Sequence, residues 1–282
     1  MRTLFFVSMI LTSLSVSAQE KEKDTLSNWT KGGVFTLLFN QASFSNWIAG
    51  GENSVSGTVS INYDFNYKNG DWSWDNKIIT KYGLSNISGA GTRKTDDSFE
   101  FNSLLGKKAG DNWSYSLLLN IRSQFTDGFD YATSPKSVTS KFFAPGYVTV
   151  GSGMLYKKSD NFNINVSPAS MKATFVSKSL TANASVFGVD QGKTSRYEIG
   201  FYASVFYKAK LMDNVTMENI FNTYSNYMED PQNIDLNYQI NFVMQINKYL
   251  STNLNFHMIV DDNASSQIQL KQLFGLGVNY IF

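Results

Sequence analysis

The chain contains no cysteine, which excludes disulfides, thiolate chemistry and a lipid anchor on a cysteine. Histidine occurs once, at His257, so the histidine-based ligand clusters and base–nucleophile pairs of common metal and hydrolytic sites have little to draw on. Proline is limited to four residues, which leaves room for long unbroken strands, because proline cannot donate to a ladder. A net charge of +1 marks no nucleic-acid surface and sets up no strong ion-selective field. Beyond Ala18 no apolar run approaches the ~20 residues needed by a membrane-spanning helix. The mean hydropathy of −0.23 resembles that of a water-soluble protein. A barrel shows the same value, because its lumen-facing residues dilute its lipid-facing ones. Gly32-Gly33 and Gly50-Gly51 lack the flanking pattern of a phosphate-binding loop.

What the chain does have is alternation. From Asn233 to Asn247 the even positions are apolar (Ile234, Leu236, Tyr238, Ile240, Phe242, Met244, Ile246) and the odd ones polar, with Val243 the exception. The pattern resumes in Leu270, Phe274, Leu276, Val278, Tyr280 and Phe282. Period two over such a length means strands with one apolar and one polar face. Ahead of them, Arg2, the apolar stretch Leu4 to Val16 and the small residues Val16-Ser17-Ala18 read as an export signal cleaved after Ala18. The expected organisation is a signal over 1–18, a short periplasmic segment over 19–32 and a transmembrane antiparallel up-and-down β-barrel over 33–282, with both termini periplasmic.

Alternation and turn signals together place about twelve strands near 33–43, 54–68, 71–85, 96–108, 111–126, 144–158, 160–177, 196–209, 213–228, 232–247, 249–261 and 269–282. Pro168 interrupts one of them and suggests a bulge there. Short turns such as Lys68-Asn69-Gly70-Asp71 and Asn247-Lys248 alternate with longer links at 43–53, 86–95, 127–143 and 178–195. Bacterial outer-membrane barrels have this asymmetry and an even strand number. Tyr67, Trp72, Trp74, Trp113, Tyr115, Tyr156, Phe162, Tyr207, Tyr280 and Phe282 lie on the apolar parity close to a short turn or the C-terminus. Such a cluster suits one interfacial girdle. Tyr280 and Phe282 also form a terminal signal for the barrel-assembly machinery.

The opposite parity carries Asp64, Asp75, Lys77, Lys81, Glu100, Arg122, Arg196, Glu198, Lys208, Glu218 and Asp235. Two readings stay open, a charged constriction that selects solute and a lumen plugged by cross-strand ion pairs. His257 falls on this lumen parity, away from any lipid substrate, and is expected to be a satisfied polar residue. Asp261 and Asp262 form a weak candidate cation site where a strand ends. No catalytic residue, metal or cofactor is expected.

The most specific segment runs from Phe39 through Trp47 and Gly50-Gly51-Glu52 to Ser54. Its apolar residues Phe44, Trp47, Ile48 and Ala49 are unfavourable in water. They are expected to be covered, either by docking on a partner protein or, the preferred reading, by folding into the barrel mouth, where Glu52 would pair with Arg93 or Lys94 of the next loop. This segment, together with Trp72-Ser73-Trp74-Asp75-Asn76, Arg93-Lys94-Thr95-Asp96-Asp97, Pro231-Gln232-Asn233-Ile234-Asp235 and Asn247-Lys248-Tyr249-Leu250-Ser251, resembles the domain of unknown function 3078 family of the Bacteroidetes. The resemblance runs from about Trp29 to Asp262 and implies a barrel, with no activity and no functional residues attached.

The functional expectation is passive solute transport or a structural or partner-binding role in the cell outer membrane. Expected partners are outer-membrane lipids, lipopolysaccharide and, during insertion, the assembly machinery, with no nucleic acid. The alternative is a lipid-modifying or hydrolytic barrel enzyme. A third arrangement, a soluble barrel holding lipid inside, would turn the apolar parity inward.

Overall fold

The computed structural model describes residues 28–43 and 52–282. Its strands are β1 (Trp29–Ala42), β2 (Ser54–Asn69), β3 (Trp72–Ile87), β4 (Gly91–Lys108), β5 (Trp113–Ser123), β6 (Gly128–Asp130), β7 (Ser137–Ser140), β8 (Gly146–Ser159), β9 (Phe162–Phe175), β10 (Ser195–Met212), β11 (Val215–Asn226), β12 (Ile234–Gln245), β13 (Leu250–Asp261) and β14 (Ser265–Ile281). All but β6 and β7 form one closed antiparallel barrel of twelve strands, in which β5 pairs with β8 and β14 closes onto β1. Closure leaves no sheet edge along the wall, and the alternation of side chains then sorts residues to the outside or the lumen.

The sorting inverts that of a water-soluble protein. Polar side chains outnumber apolar ones among the buried residues, with Asn76, Asn165, Glu198 and Asn237 deeply covered. Leu117, Phe256, Phe274, Leu276 and Val278 are exposed on the outside. The soluble lipid-holding arrangement would need the reverse.

All twelve expected strands are present, with shifted ends. β1 starts at Trp29, which pairs with Tyr67, so the wall takes in four residues expected in the N-terminal segment. The expected signal and its cleavage site lie outside the described residues, as does Trp47. The link expected over 86–95 is in fact the tight turn 88–90. Gly89 and Gly91, at φ of 82° and 77°, let it reverse direction where a side chain would be strained. Arg93 and Lys94 therefore belong to β4 and pair with Ser85 and Leu84. The link after β5 holds a small hairpin, β6–β7, that alternation does not reveal.

Pro168 does produce a bulge, within an intact strand. Against β10, the pair Gly200↔Ser170 is followed by Tyr202↔Ser167. Against β8, Ser152↔Ala169 is followed by Met154↔Val166. A Cβ at Gly153 would collide with the Val166 carbonyl oxygen, so the neighbouring strand needs glycine there. The extra residue also flips the parity along the rest of β9: Asn165 and Ser167 face the lumen before the bulge, Ser170, Lys172 and Thr174 after it.

Candidate functional site

The lumen is crossed by side chains. Lys77 of β3 lies 3.5 Å from Asp64 and 3.4 Å from Glu218 of β11. Glu100 of β4 accepts hydrogen bonds from Asn102 (3.0 Å), from Asn120 (3.4 Å) and, on β12, from Gln239 (3.0 Å). β3 and β11 are six strands apart in the ring of twelve, as are β4 and β12. These contacts therefore run from wall to opposite wall. Beside them Leu118, Tyr202 and Tyr224 pack with Leu104, apolar side chains on the lumen parity. The Tyr202 hydroxyl donates to Asn222 Oδ1 at 3.0 Å.

This septum divides the lumen in two. The chamber toward the longer links measures about 510 Å³ and is lined by, among others, Lys81, Arg122, Tyr147, Gln239, His257 and Lys271. The chamber toward the short turns measures about 390 Å³, and its lining includes Asp75, Lys77, Leu104, Phe206, Lys208 and Glu218. Between them lies a space of about 30 Å³ bordered by Asn120, Arg122 and Tyr202.

Most of the expected lumen charges sit in ion pairs. Lys157 bonds Asp75 at 2.7 Å. Arg196 lies 3.2 Å from Glu198 and 2.9 Å from Glu229. Lys172 lies 2.6 Å from Asp235 and 3.6 Å from Glu198. Parity misplaces Lys172 because the Pro168 bulge reverses the faces of β9 at that point. Lys271 pairs with Asp96 at 2.9 Å. His257 Nε2 is 3.0 Å from Asn237 Oδ1, in keeping with a satisfied lumen residue.

Asp261 and Asp262 come together with Asp235, their carboxylate oxygens within 4.8 Å of one another. Each already accepts from protein donors: Asp235 from Lys172, Asp261 from the backbone N–H groups of Asn263 and Ala264, and Asp262 from Asn233. Of the mouth residues, Glu52 is exposed, Arg93 lies over the Tyr131 ring at 4.9 Å, and Lys94 bonds Asp97 at 2.8 Å and the Thr126 carbonyl at 2.9 Å. The partners of both cations are thus Asp97 and the link after β5, and no Glu52 ion pair to either occurs among the described residues.

At the short-turn end the outward aromatics touch in series. Trp113–Tyr156, Tyr156–Phe162 and Phe162–Tyr207 have ring centroids 5.1, 6.5 and 6.2 Å apart. Trp29, which alternation does not assign to the girdle, joins Trp74 at 5.8 Å. Phe282 stacks on Tyr280 at 6.1 Å and on Tyr63 at 5.7 Å. Its backbone exchanges hydrogen bonds with Gly33, at 2.8 and 3.0 Å, and so the last residue completes the seam between β1 and β14.

Residues 39–129 match the family model described as "Protein of unknown function (DUF3078)". Comparison with curated protein sequences gave no match. Among solved structures the chain is similar to an outer membrane channel from Pseudomonas putida F1, at 8% identity and a TM-score of 0.38 over 93% of this chain and 98% of that one. It is also similar to the translocator domain of the autotransporter NalP from Neisseria meningitidis, at 10% identity and a TM-score of 0.34 over 93% and 90%. The outer membrane channel DcaP of Acinetobacter baumannii aligns at 11% identity and a TM-score of 0.29 over 90% and 95%. At scores this low none of them bears on what the barrel carries.

Proposed function

We propose that the chain is a non-catalytic outer-membrane barrel that passes small polar solutes passively, through two chambers separated by a septum of side chains. The membrane reading is supported by the apolar outer wall and the aromatic girdle, since a water-soluble barrel gains nothing from either. The start of β1 and the end of β14 share the short-turn end, which in such barrels is periplasmic. Lipid and lipopolysaccharide would then surround the wall.

The observation that carries the transport reading is the make-up of the septum. It is built from side chains, among them Glu100, Gln239, Asn120, Leu118 and Tyr202, while the strands that enclose it form the wall and β7 borders the chamber toward the longer links through Thr139 and Ser140. A charge-assisted hydrogen bond such as Glu100–Gln239 contributes on the order of 1.5–3 kcal/mol, which side-chain motion can overcome. In planar bilayers the purified barrel should give brief openings far below the nanosiemens steps of wide porins. Gln239→Gly should raise both their size and their frequency. Silence from both proteins would sink transport and favour the second reading, a structural or partner-binding barrel, which the wall-to-wall contacts also suit. The enzyme alternative has little support, because His257 faces the lumen and is bonded to Asn237.

Insertion is read from the terminal aromatic pair. Replacing Tyr280 and Phe282 together with Ala removes the ring stack on Tyr63 and leaves the backbone bonds of the seam to Gly33 available. The heat-modifiable barrel recovered from outer membranes should fall, with the remainder degraded in the periplasm. An unchanged yield would show that the machinery does not depend on this pair.

A further inference from the structure

The chamber toward the longer links contains four acidic groups on or against its wall, and each is already engaged. Asp96 holds Lys271, and Asp97 holds Lys94 and the backbone of Phe125 and Thr126. Glu100 is bonded by three amides, and Asp261 by two backbone N–H groups.

Two cations of the same chamber are not matched in this way. Lys81 has a neutral partner, Asn255 Oδ1 at 3.0 Å. The Arg122 guanidinium has no hydrogen bond or ion pair to any protein group among the described residues; its described contact is the face of Tyr147, 5.4 Å from the ring centroid. Glu100 is its direct ladder partner, yet that carboxylate turns to Asn102, Asn120 and Gln239 instead. A guanidinium presents five donors in a planar fork that fits the two oxygens of a carboxylate or phosphate. Here the fork is steadied by an aromatic ring, borders a chamber of about 510 Å³ and has its donors free of any partner among the described residues. It also lies beside the septum, where a solute waiting to cross would rest.

We propose that this chamber is a binding site for small anions bearing a carboxylate or phosphate group, with Arg122 as the bidentate anchor and Lys81 as the second cation. The proposal deepens the transport reading by naming a solute class. It can nevertheless be tested without conduction.

The detergent-folded barrel is titrated calorimetrically with inorganic phosphate and, separately, with succinate. Saturable binding of at least one is expected, and the stronger of the two identifies the preferred group. Arg122→Gln should weaken it about tenfold or more, the loss of charge-assisted bonds, while Arg122→Lys should fall between. Lys208→Gln, which removes a cation from the other chamber, should leave binding unchanged. Heat-modifiable migration checks that each variant is folded, and Lys81→Met gives a second reading should Arg122→Gln not fold. Absence of saturable binding to the parent would overturn the site. So would undiminished binding by folded Arg122→Gln, or an equal loss in Lys208→Gln. Arg122-dependent binding by a barrel that is silent in bilayers would keep the site and reject transport.

Discussion

Ile240→Arg is expected to prevent folding into liposomes, while Asn241→Arg folds as the parent does. The two residues are neighbours on β12 and differ only in the face they occupy. Ile240 points outward, level with Phe256 of β13, and Asn241 points into the lumen opposite Glu218 of β11. An arginine in the middle of a lipid-facing wall costs about 2–4 kcal/mol, against a typical total stability of ~5–15 kcal/mol. At position 241 the same side chain would reach water and the Glu218 carboxylate. Urea titration with heat-modifiable migration on gels separates the two cases. Equal tolerance of both substitutions would mean that the outer wall does not face lipid. The reverse order would identify a soluble barrel with an apolar interior.

A second large effect is expected from Lys172→Met. Lys172 and Glu198 are 6% and 4% exposed at their side chains, and Asp235 is 19% exposed. Taking away the one cation leaves two carboxylates facing each other in a covered space, with only Arg196 to offset Glu198. Removing one partner of a buried pair commonly costs about 3–5 kcal/mol. The doubly changed Lys172→Met, Asp235→Asn should regain part of that, since it removes a stranded charge. The urea midpoint in liposomes measures both. A shift of less than about 0.5 kcal/mol in the single variant, the usual range for an inconsequential surface change, would show that water already screens this end of the lumen.

The wall of the barrel is legible in the sequence because a face is a local property. Ile234 to Ile246 announce which side each residue occupies, and a turn such as Lys68-Asn69-Gly70-Asp71 announces where the strand ends. Two local signals carry more than their pattern shows. Gly89 and Gly91 allow a turn so tight that the two strands run on past it and carry Arg93 and Lys94 into the ladder. Pro168 suggests a bulge, but not that the bulge reverses the faces of β9 and turns Lys172 inward.

The contents of the lumen are not legible, for a different reason. Parity says that Lys77, Glu100, Glu218 and Gln239 face inward, but not how far each reaches or which of the other strands it meets. Those pairings join residues more than a hundred positions apart in sequence, and they depend on the width of the closed ring. The lack of any hydrogen-bond or ion-pair partner for the Arg122 guanidinium among the described residues can be seen only once every neighbouring acid has been matched to its own donor. Leu104, Leu118 and Tyr202 are hidden for a related reason, as apolar residues on a parity that otherwise reads as polar.

The wall-to-wall contacts also bear on the timing of assembly. A hairpin can form its ladder as soon as its two strands meet, but Lys77 can reach Glu218, and Glu100 can reach Gln239, only after the ring has closed. Such interactions are absent from a transition state in which the barrel is still open. Bonds of that kind leave the folding rate unchanged and slow unfolding instead. The septum thus acts as a late-set latch: it contributes little to how quickly the barrel inserts and much to how long an inserted barrel lasts.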